Sequence, residues 1–246
     1  MLNLPENFQN YSEARQQGFL RLKELKESGK KVVGIFCTYT PTELILAAGA
    51  VPVGLCGVSD EPIPFAEKHL PKNLCPLIKS SYGFAISDTC PYFYFSDMIL
   101  AETTCDGKKK MYELMGEIKY THVMQLPQGR SGNLALESWY SEMLRLRDVL
   151  NQQLGVEITD DDLRKAIHLK NRERKAMLDY FEIGKLKPTP ISGYEISTVI
   201  DTNSFIFDTE EKISILEKRT AQLRQDYEEK FKGKPSRPRI LITGCP

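Results

Sequence analysis

The cysteines are the residues of this chain best suited to chemistry. There are six, Cys37, Cys56, Cys75, Cys90, Cys105 and Cys245, and the first five follow one another at intervals of 19, 19, 15 and 15 residues. Cys75, Cys90 and Cys245 each precede a proline, which fixes the backbone and removes a competing N–H donor. Their neighbours are Gly, Pro, Thr and Asp, whereas a cysteine acting as a small core hydrophobe belongs inside a strand or helix. Six in 246 residues is too sparse for a disulfide scaffold. Structural zinc favours paired Cys-x-x-Cys knuckles, and the sequence has none. Widely spaced thiolates drawn from several loops suit iron and sulfide better.

The elements that must position these thiols alternate between two periods. Apolar residues at Phe8, Tyr11, Phe19, Leu22 and Leu25 give residues 6–28 a helical period that stops near Gly29. Short apolar runs at 32–36, 51–55, 98–101 and 122–126 read as strands, with helical signals between them. Thr40-Pro41-Thr42-Glu43 has the form of a capping box opening a helix over 44–48. Strands alternating with helices predict a parallel α/β sheet. Cys37, Cys56, Cys105 and Cys245 then follow the ends of strands, at the sheet edge where ligands bind and helix N-termini point inward.

Beyond residue 130 the pattern becomes long and amphipathic, over 132–154, 160–182 and 209–232, the last two opened by Thr159-x-x-Asp162 and Asp208-x-x-Glu211. Lys232-Gly-Lys-Pro-Ser-Arg-Pro has the composition of a linker, and a fresh strand follows it. The expected organisation is an N-terminal helix plus a first α/β domain over 1–129, a helical segment over 130–235, and the first strand of a truncated second α/β domain over 236–246. The chain is therefore expected to be a piece of a longer protein, and to bind a cluster poorly in isolation because Cys245 has no domain to fix it.

Lys plus Arg and Asp plus Glu are both 33, and this zero balance argues against a nucleic-acid surface. The longest apolar stretch, 44–58, is broken by Gly49, Pro52, Gly54 and Gly57 and falls short of the roughly 20 residues a membrane span requires. The N-terminus lacks a basic segment followed by an apolar run, so no membrane association and a cytoplasmic location are expected.

Four separated motifs carry a resemblance. Cys37-Thr-Tyr-Thr-Pro-Thr-Glu-Leu-Ile-Leu-Ala-Ala-Gly-Ala-Val-Pro, Leu74-Cys-Pro-Leu-Ile-Lys-Ser-Ser-Tyr-Gly, Glu102-Thr-Thr-Cys-Asp-Gly-Lys-Lys-Lys-Met-Tyr-Glu and Thr243-Gly-Cys-Pro stand in this order. They resemble the 2-hydroxyacyl-CoA dehydratase D-component and benzoyl-CoA reductase subunit family. The resemblance implies two flavodoxin- or Rossmann-like α/β domains with helical segments and an iron–sulfur cluster between them. It maps the three cysteines of a 4Fe-4S cluster onto Cys75, Cys105 and Cys245, leaving the fourth iron open for substrate.

The additional Cys37, Cys56 and Cys90 resemble the double-cubane branch, whose 8Fe-9S cluster has six outer iron positions to match six cysteines. On that reading the chain is expected to reduce small molecules at low potential, and to work as a homodimer. The energy would come from a separate ATP-hydrolysing iron–sulfur activator, because no Gly-x-x-x-x-Gly-Lys-Ser/Thr loop is present. The alternatives are an (R)-2-hydroxyacyl-CoA dehydratase subunit with one 4Fe-4S cluster, which would be heterodimeric, and a non-catalytic partner subunit with core cysteines.

Other residues carry weaker readings. Glu102, at the end of the third strand, is the candidate catalytic proton relay, or else a buried acid paired with one of Lys108, Lys109 and Lys110. Those lysines are either a docking patch for an acidic activator or a solvated face. Lys79, Ser80 and Ser81 either donate to cluster sulfides or start a solvated helix. His69, His122 and His168 read as structural, and Trp139 with Leu134, Leu136, Met143 and Leu146 reads as packing.

Overall fold

The computed structural model describes residues 6–57, 59–236 and 238–241. The chain divides into two compact units, one over Gln16–His168 and the other over Leu169–Pro246 with Met1–Arg15.

The first unit is built on a parallel sheet, as the alternating pattern predicts. Helix α1 (Glu6–Glu27) stops where Gly29 takes φ +87°, a left-handed turn that glycine adopts without strain. There follow β1 (Val32–Ile35), α2 (Thr42–Ala47), β2 (Val51–Gly54), α3 (Ile63–Ala66), α4 (Pro76–Ile86), α5 (Pro91–Phe95), β3 (Met98–Glu102), α6 (Asp106–Gly116), β4 (Thr121–Met124) and α7 (Asn133–Leu154). The strand order is β2-β1-β3-β4, all parallel, in the manner of a flavodoxin-like sheet. From β1 the chain passes first to β2 on one side and then returns to β3 on the other. The crevice beyond β1 and β3 is therefore the switch point of the sheet.

Both faces of the sheet are covered, which is why its strands are almost continuously apolar. Ile99 and Ala101 point into a core with Phe36, Leu55, Ile78, Tyr82, Met111, Tyr112 and Met115. Their alternates Met98 and Leu100 point into the opposite core, with Val33, Leu44, Ile45, Leu146, Leu150 and Leu154. Trp139, Met143 and Leu146 pack there as expected, but Leu134 and Leu136, placed in the same stripe by the sequence, are 83% and 70% exposed. The buried period of α7 runs through 139, 143, 146, 150 and 154 and leaves those two leucines off it.

Two expected caps form and one does not. Thr159 and Asp162 exchange capping hydrogen bonds at the start of α8 (Asp160–Ile183), with Asp162 N donating to Thr159 Oγ1 at 3.2 Å and Thr159 N to Asp162 Oδ2 at 3.2 Å. At α2, by contrast, Pro41 takes the cap position and no side chain caps the helix, because the Thr40 hydroxyl is engaged at the end of β3.

In the second unit α8 continues into α9 (Gly193–Asn203) and α10 (Thr209–Asp226), whose last turn widens over Tyr227–Phe231. Ala176, Tyr180, Ile183, Ile191, Ile213 and Leu216 form its core. Asp208 caps α10 through the amides of Glu210 and Glu211. Helix α9, with a capping box between Ser192 and Glu195, is an element that the long amphipathic pattern does not single out. The strand expected after the linker is not present over 239–241, and its remainder lies outside the described residues.

Helices α3 and α4 approach closely at Gly83, where an added Cβ would lie 2.1 Å from the carbonyl oxygen of Pro62. No backbone oxygen yields at that distance, so Gly83→Ala should lower unfolding free energy by about 2–3 kcal/mol. Gly116, with open space around its Cβ direction, is the control, and Gly116→Ala should be neutral or stabilise by up to about 1 kcal/mol in denaturant titrations.

Candidate functional site

The site is assembled from loops that leave the C-terminal ends of β1, β2 and β3. Cys37 follows β1 by two residues and adopts φ +65°, a left-handed conformation that turns the chain sharply off the strand. Its sulfur lies 3.3 Å from Thr104 Oγ1 and accepts a hydrogen bond from Lys108 Nζ. Lys108 stands in the first turn of α6 and is 8% exposed. Burial opposes its charge, but the hydrogen bond to Cys37 and the charges of Cys37, Cys56 and Cys105 outweigh burial and raise its pKa. The same three sulfurs act on Tyr112, whose buried hydroxyl is pushed up, first by burial and then by their charges. Cys37, Cys56 and Cys105 thus share one neighbourhood around Lys108.

Cys105 and Cys75 are the N-cap residues of α6 and α4, both exposed, and neither thiol is used in capping. Gly107 lets the two helix starts meet, since a Cβ there would lie 2.8 Å from Ile78 Cδ1 and 2.9 Å from Leu74 Cδ1. Cys75 and Cys105 therefore sit at adjoining helix N-termini.

Cys90 is placed differently. It caps α5, accepting from Phe93 N at 3.4 Å, and α5 feeds the beginning of β3 rather than its end. The structure does not bring Cys90 to the other thiols, and Cys245 lies outside the described residues. Among the described residues, no three His, Cys, Asp or Glu side chains are grouped closely enough to hold a metal ion.

Glu102 closes β3 and is fully buried, on the face of the sheet that carries Leu100. Thr40 Oγ1 donates to its Oε1 at 3.3 Å, while Oε2 has no partner. Burial raises its pKa, against the smaller opposing effects of the Tyr39 and Thr40 amides and the Thr40 hydroxyl. The pairing expected with a lysine is not the one formed: Lys108 donates to Cys37, Lys109 meets Asp106 at 3.0 Å and Lys110 meets Glu113 at 2.5 Å.

Lys79, Ser80 and Ser81 are neither a solvated helix start nor donors toward the thiols. All three are buried: Lys79 holds Glu67 Oε1 at 2.8 Å and the Lys72 carbonyl at 2.6 Å, Ser80 donates to the Ser59 carbonyl, and Ser81 accepts from Gly57 N. Ser80 and Ser81 fasten the loop after Cys56 onto α4, and Lys79 ties α4 to the segment after α3. His69 meets Tyr82 Oη at 2.7 Å, and His122 is buried with its pKa lowered, first by burial.

The comparisons with known proteins identify the family. The 2-hydroxyglutaryl-CoA dehydratase, D-component, family matches residues 37–246. The chain belongs to that family. It is 54% identical over 244 residues to a protein of Escherichia coli provisionally named dehydratase subunit YjiM, covering 99% of this chain and 63% of that one. It is 26% identical to the (R)-phenyllactyl-CoA dehydratase beta subunit of Clostridium sporogenes, over 91% of this chain and 58% of that one. It is also 26% identical to one of the benzoyl-CoA reductase subunits of Thauera aromatica, over 72% of this chain and 47% of that one. The chain thus spans less than two thirds of the length of these relatives.

These findings overturn the expectation of an ATP-dependent small-molecule reductase built on an eight-iron double cubane. The relatives are named as subunits of a dehydratase, of a phenyllactyl-CoA dehydratase and of a benzoyl-CoA reductase. The described thiols, moreover, do not gather into one metal-holding group. No described helix is long and apolar enough to cross a membrane.

A carboxyl whose folded pKa lies above its ordinary 4.5 stabilises the fold below that value and loses its contribution as pH rises through the raised pKa. The stability of the protein relative to its Glu102→Gln variant should therefore decline as pH is raised from about 4.5, then level off. Urea melts at a series of pH values read this difference, and a flat difference across the range contradicts the assignment.

Proposed function

We propose that this chain forms part of a subunit that dehydrates an (R)-2-hydroxyacyl-CoA, with a 4Fe-4S cluster held by Cys75, Cys105 and Cys245. The observation that carries this reading is the close approach of the starts of α4 and α6 at Gly107, each capped by an exposed cysteine whose thiol makes no capping bond. Two cysteine sulfurs are a donor set suited to iron and sulfide. The third position rests on the family's Thr-Gly-Cys-Pro motif at residues 243–246. When bound, such a cluster supplies a low-potential electron and an iron with a position open to a substrate oxygen.

The chain's own residues do the rest. Removal of water from a 2-hydroxyacyl thioester requires a proton on the departing hydroxyl. Glu102, kept toward its neutral form by burial, holds that proton, and the Thr40 hydroxyl, donating to Oε1, orients the carboxyl. The buried Lys108 ammonium holds Cys37 aside, so that Cys37 and Cys56 line the crevice without ligating. The relative named as a beta subunit supports a second, different subunit. The missing phosphate-binding loop supports a separate ATP-hydrolysing activator with its own iron–sulfur cluster.

Anaerobic reconstitution of the full-length protein should give about four irons per chain, and dehydration of an (R)-2-hydroxyacyl-CoA should require the activator and ATP. Cys75→Ser and Cys105→Ser should lose iron and activity, whereas Cys37→Ser, Cys56→Ser and Cys90→Ser should keep iron. Iron loss as severe in Cys37→Ser or Cys56→Ser as in Cys75→Ser would contradict the ligand set.

A further inference from the structure

The helical second unit contains a group of polar side chains whose charges and donors do not balance. Helices α8, α9 and α10 enclose a cavity of about 190 Å³, far above the roughly 15 Å³ that a single water needs. Its apolar lining is Met177, Ile200 and Leu216, and its polar lining includes Glu173, Asn203 and Lys212. Ser204 also borders it, but the Ser204 hydroxyl is spent on the Asp201 carbonyl at 2.5 Å. An apolar hollow with a few placed polar groups is the usual form of a small-molecule site.

Two cations share one carboxylate there. Lys170 Nζ donates to Glu173 Oε2, whereas Lys212 Nζ stands 3.9 Å from Glu173 Oε1, beyond hydrogen-bond reach. The side chains of Lys170, Glu173 and Lys212 are only 19%, 12% and 21% exposed. The acids beside Lys212 along the chain are committed elsewhere, Glu210 to Arg172 and Asp208 to the cap of α10. Burial pushes the Lys212 pKa down more than Glu173 holds it up, and Lys170 adds to the fall. Lysines drawn inward in the first unit are treated differently: Lys79 ends on Glu67 and the Lys72 carbonyl, and Lys119 on three carbonyls. Asn203 repeats the imbalance, since it is 5% exposed and its Nδ2 has no hydrogen-bond partner. A buried amide donor and a poorly paired ammonium on one cavity call for an acceptor that carries negative charge.

We propose that this cavity binds a small aliphatic monocarboxylate, its carboxylate received by Lys212 Nζ and Asn203 Nδ2 and its alkyl chain by Met177, Ile200 and Leu216. The excess of one positive charge over Glu173 matches the single negative charge of such a ligand. Inorganic phosphate brings more charge near neutral pH, meets stronger repulsion from Glu173 and offers nothing to the apolar lining. The site uses none of the residues assigned to dehydration and stands or falls without that reading.

Titration calorimetry of the full-length protein with sodium butyrate, at an ionic strength held constant with sodium chloride, reads this binding directly. The wild type should bind butyrate saturably, melt at a higher temperature in its presence, and bind sodium phosphate more weakly. Lys212→Met leaves the Lys170–Glu173 pair in place, and Asn203→Asp keeps the side-chain volume while turning a donor into a negative charge; each should weaken butyrate binding about tenfold or more. In the wild type, with the methionine methyl groups labelled for nuclear magnetic resonance, the Met177 signal should move along the same binding curve, a readout that needs neither variant to fold. Absence of saturable butyrate binding to the wild type would overturn the proposal. So would a Met177 signal that stays still while butyrate binds, or a folded Lys212→Met or Asn203→Asp protein that binds as the wild type does. Tighter binding of phosphate than of butyrate would overturn the carboxylate assignment.

Discussion

The parallel pairing of β1 with β3, and the reversal of direction that accompanies it, is the constraint on which the rest of the structure depends. Because β1 is flanked by β2 and β3, the loops after β1 and β3 must diverge to opposite faces of the sheet, and a crevice opens between them. Several of the candidate site residues of the first unit lie along this crevice. Cys37 and Thr40 come from the loop after β1, and Cys56 from the loop after β2. Glu102, Thr104, Cys105 and Lys108 come from the end of β3 and the start of α6. Closing the sheet in another order would separate Cys37 from Lys108 and Thr40 from Glu102, contacts that span residue separations of 71 and 62.

The polar groups around the crevice divide into those that brace it and those that remain available. Ser80 and Ser81 brace it by pinning the loop after Cys56 to α4, Lys79 by tying α4 to the segment after α3, and Lys26 with Asp97 braces the opposite end, where Asp97 Oδ2 also accepts from the first amide of β1 at 2.7 Å. Each of these groups is satisfied, as buried polar groups in a stable fold should be. Glu102 Oε2 and the Tyr112 hydroxyl are not, and both lie beside the thiols.

Much of this was legible in the sequence because the strongest local signals agree with the fold. Alternating short apolar runs and helical periods gave the parallel sheet, Gly29 the end of α1, and Asp208 and Thr159 the starts of the long helices. The thiols at strand ends were legible for the same reason, since strand ends can be read from where apolar runs stop. What escaped was set by tertiary contact. Thr40 has the local form of a cap, but a buried carboxyl across the switch point is the stronger partner for its hydroxyl. Lys108 was submerged in a run of three lysines. Its position three residues before Met111 and seven before Met115 does place it on the buried face of α6, and that periodicity could have singled it out. Cys90 shares the Cys-Pro form of Cys75, yet one precedes a helix entering the crevice edge and the other a helix entering the start of a strand. A dipeptide carries no information about which end of the sheet it will reach.

The account as a whole stands on Cys75 and Cys105 being neighbours at two helix starts while Cys90 is remote from both. Treating the reduced, metal-free protein with a short bifunctional thiol reagent, followed by peptide mapping, measures this directly. The structure predicts a bridge between Cys75 and Cys105 and none between Cys75 and Cys90. Bridging of Cys75 to Cys90 in preference to Cys105 would contradict it.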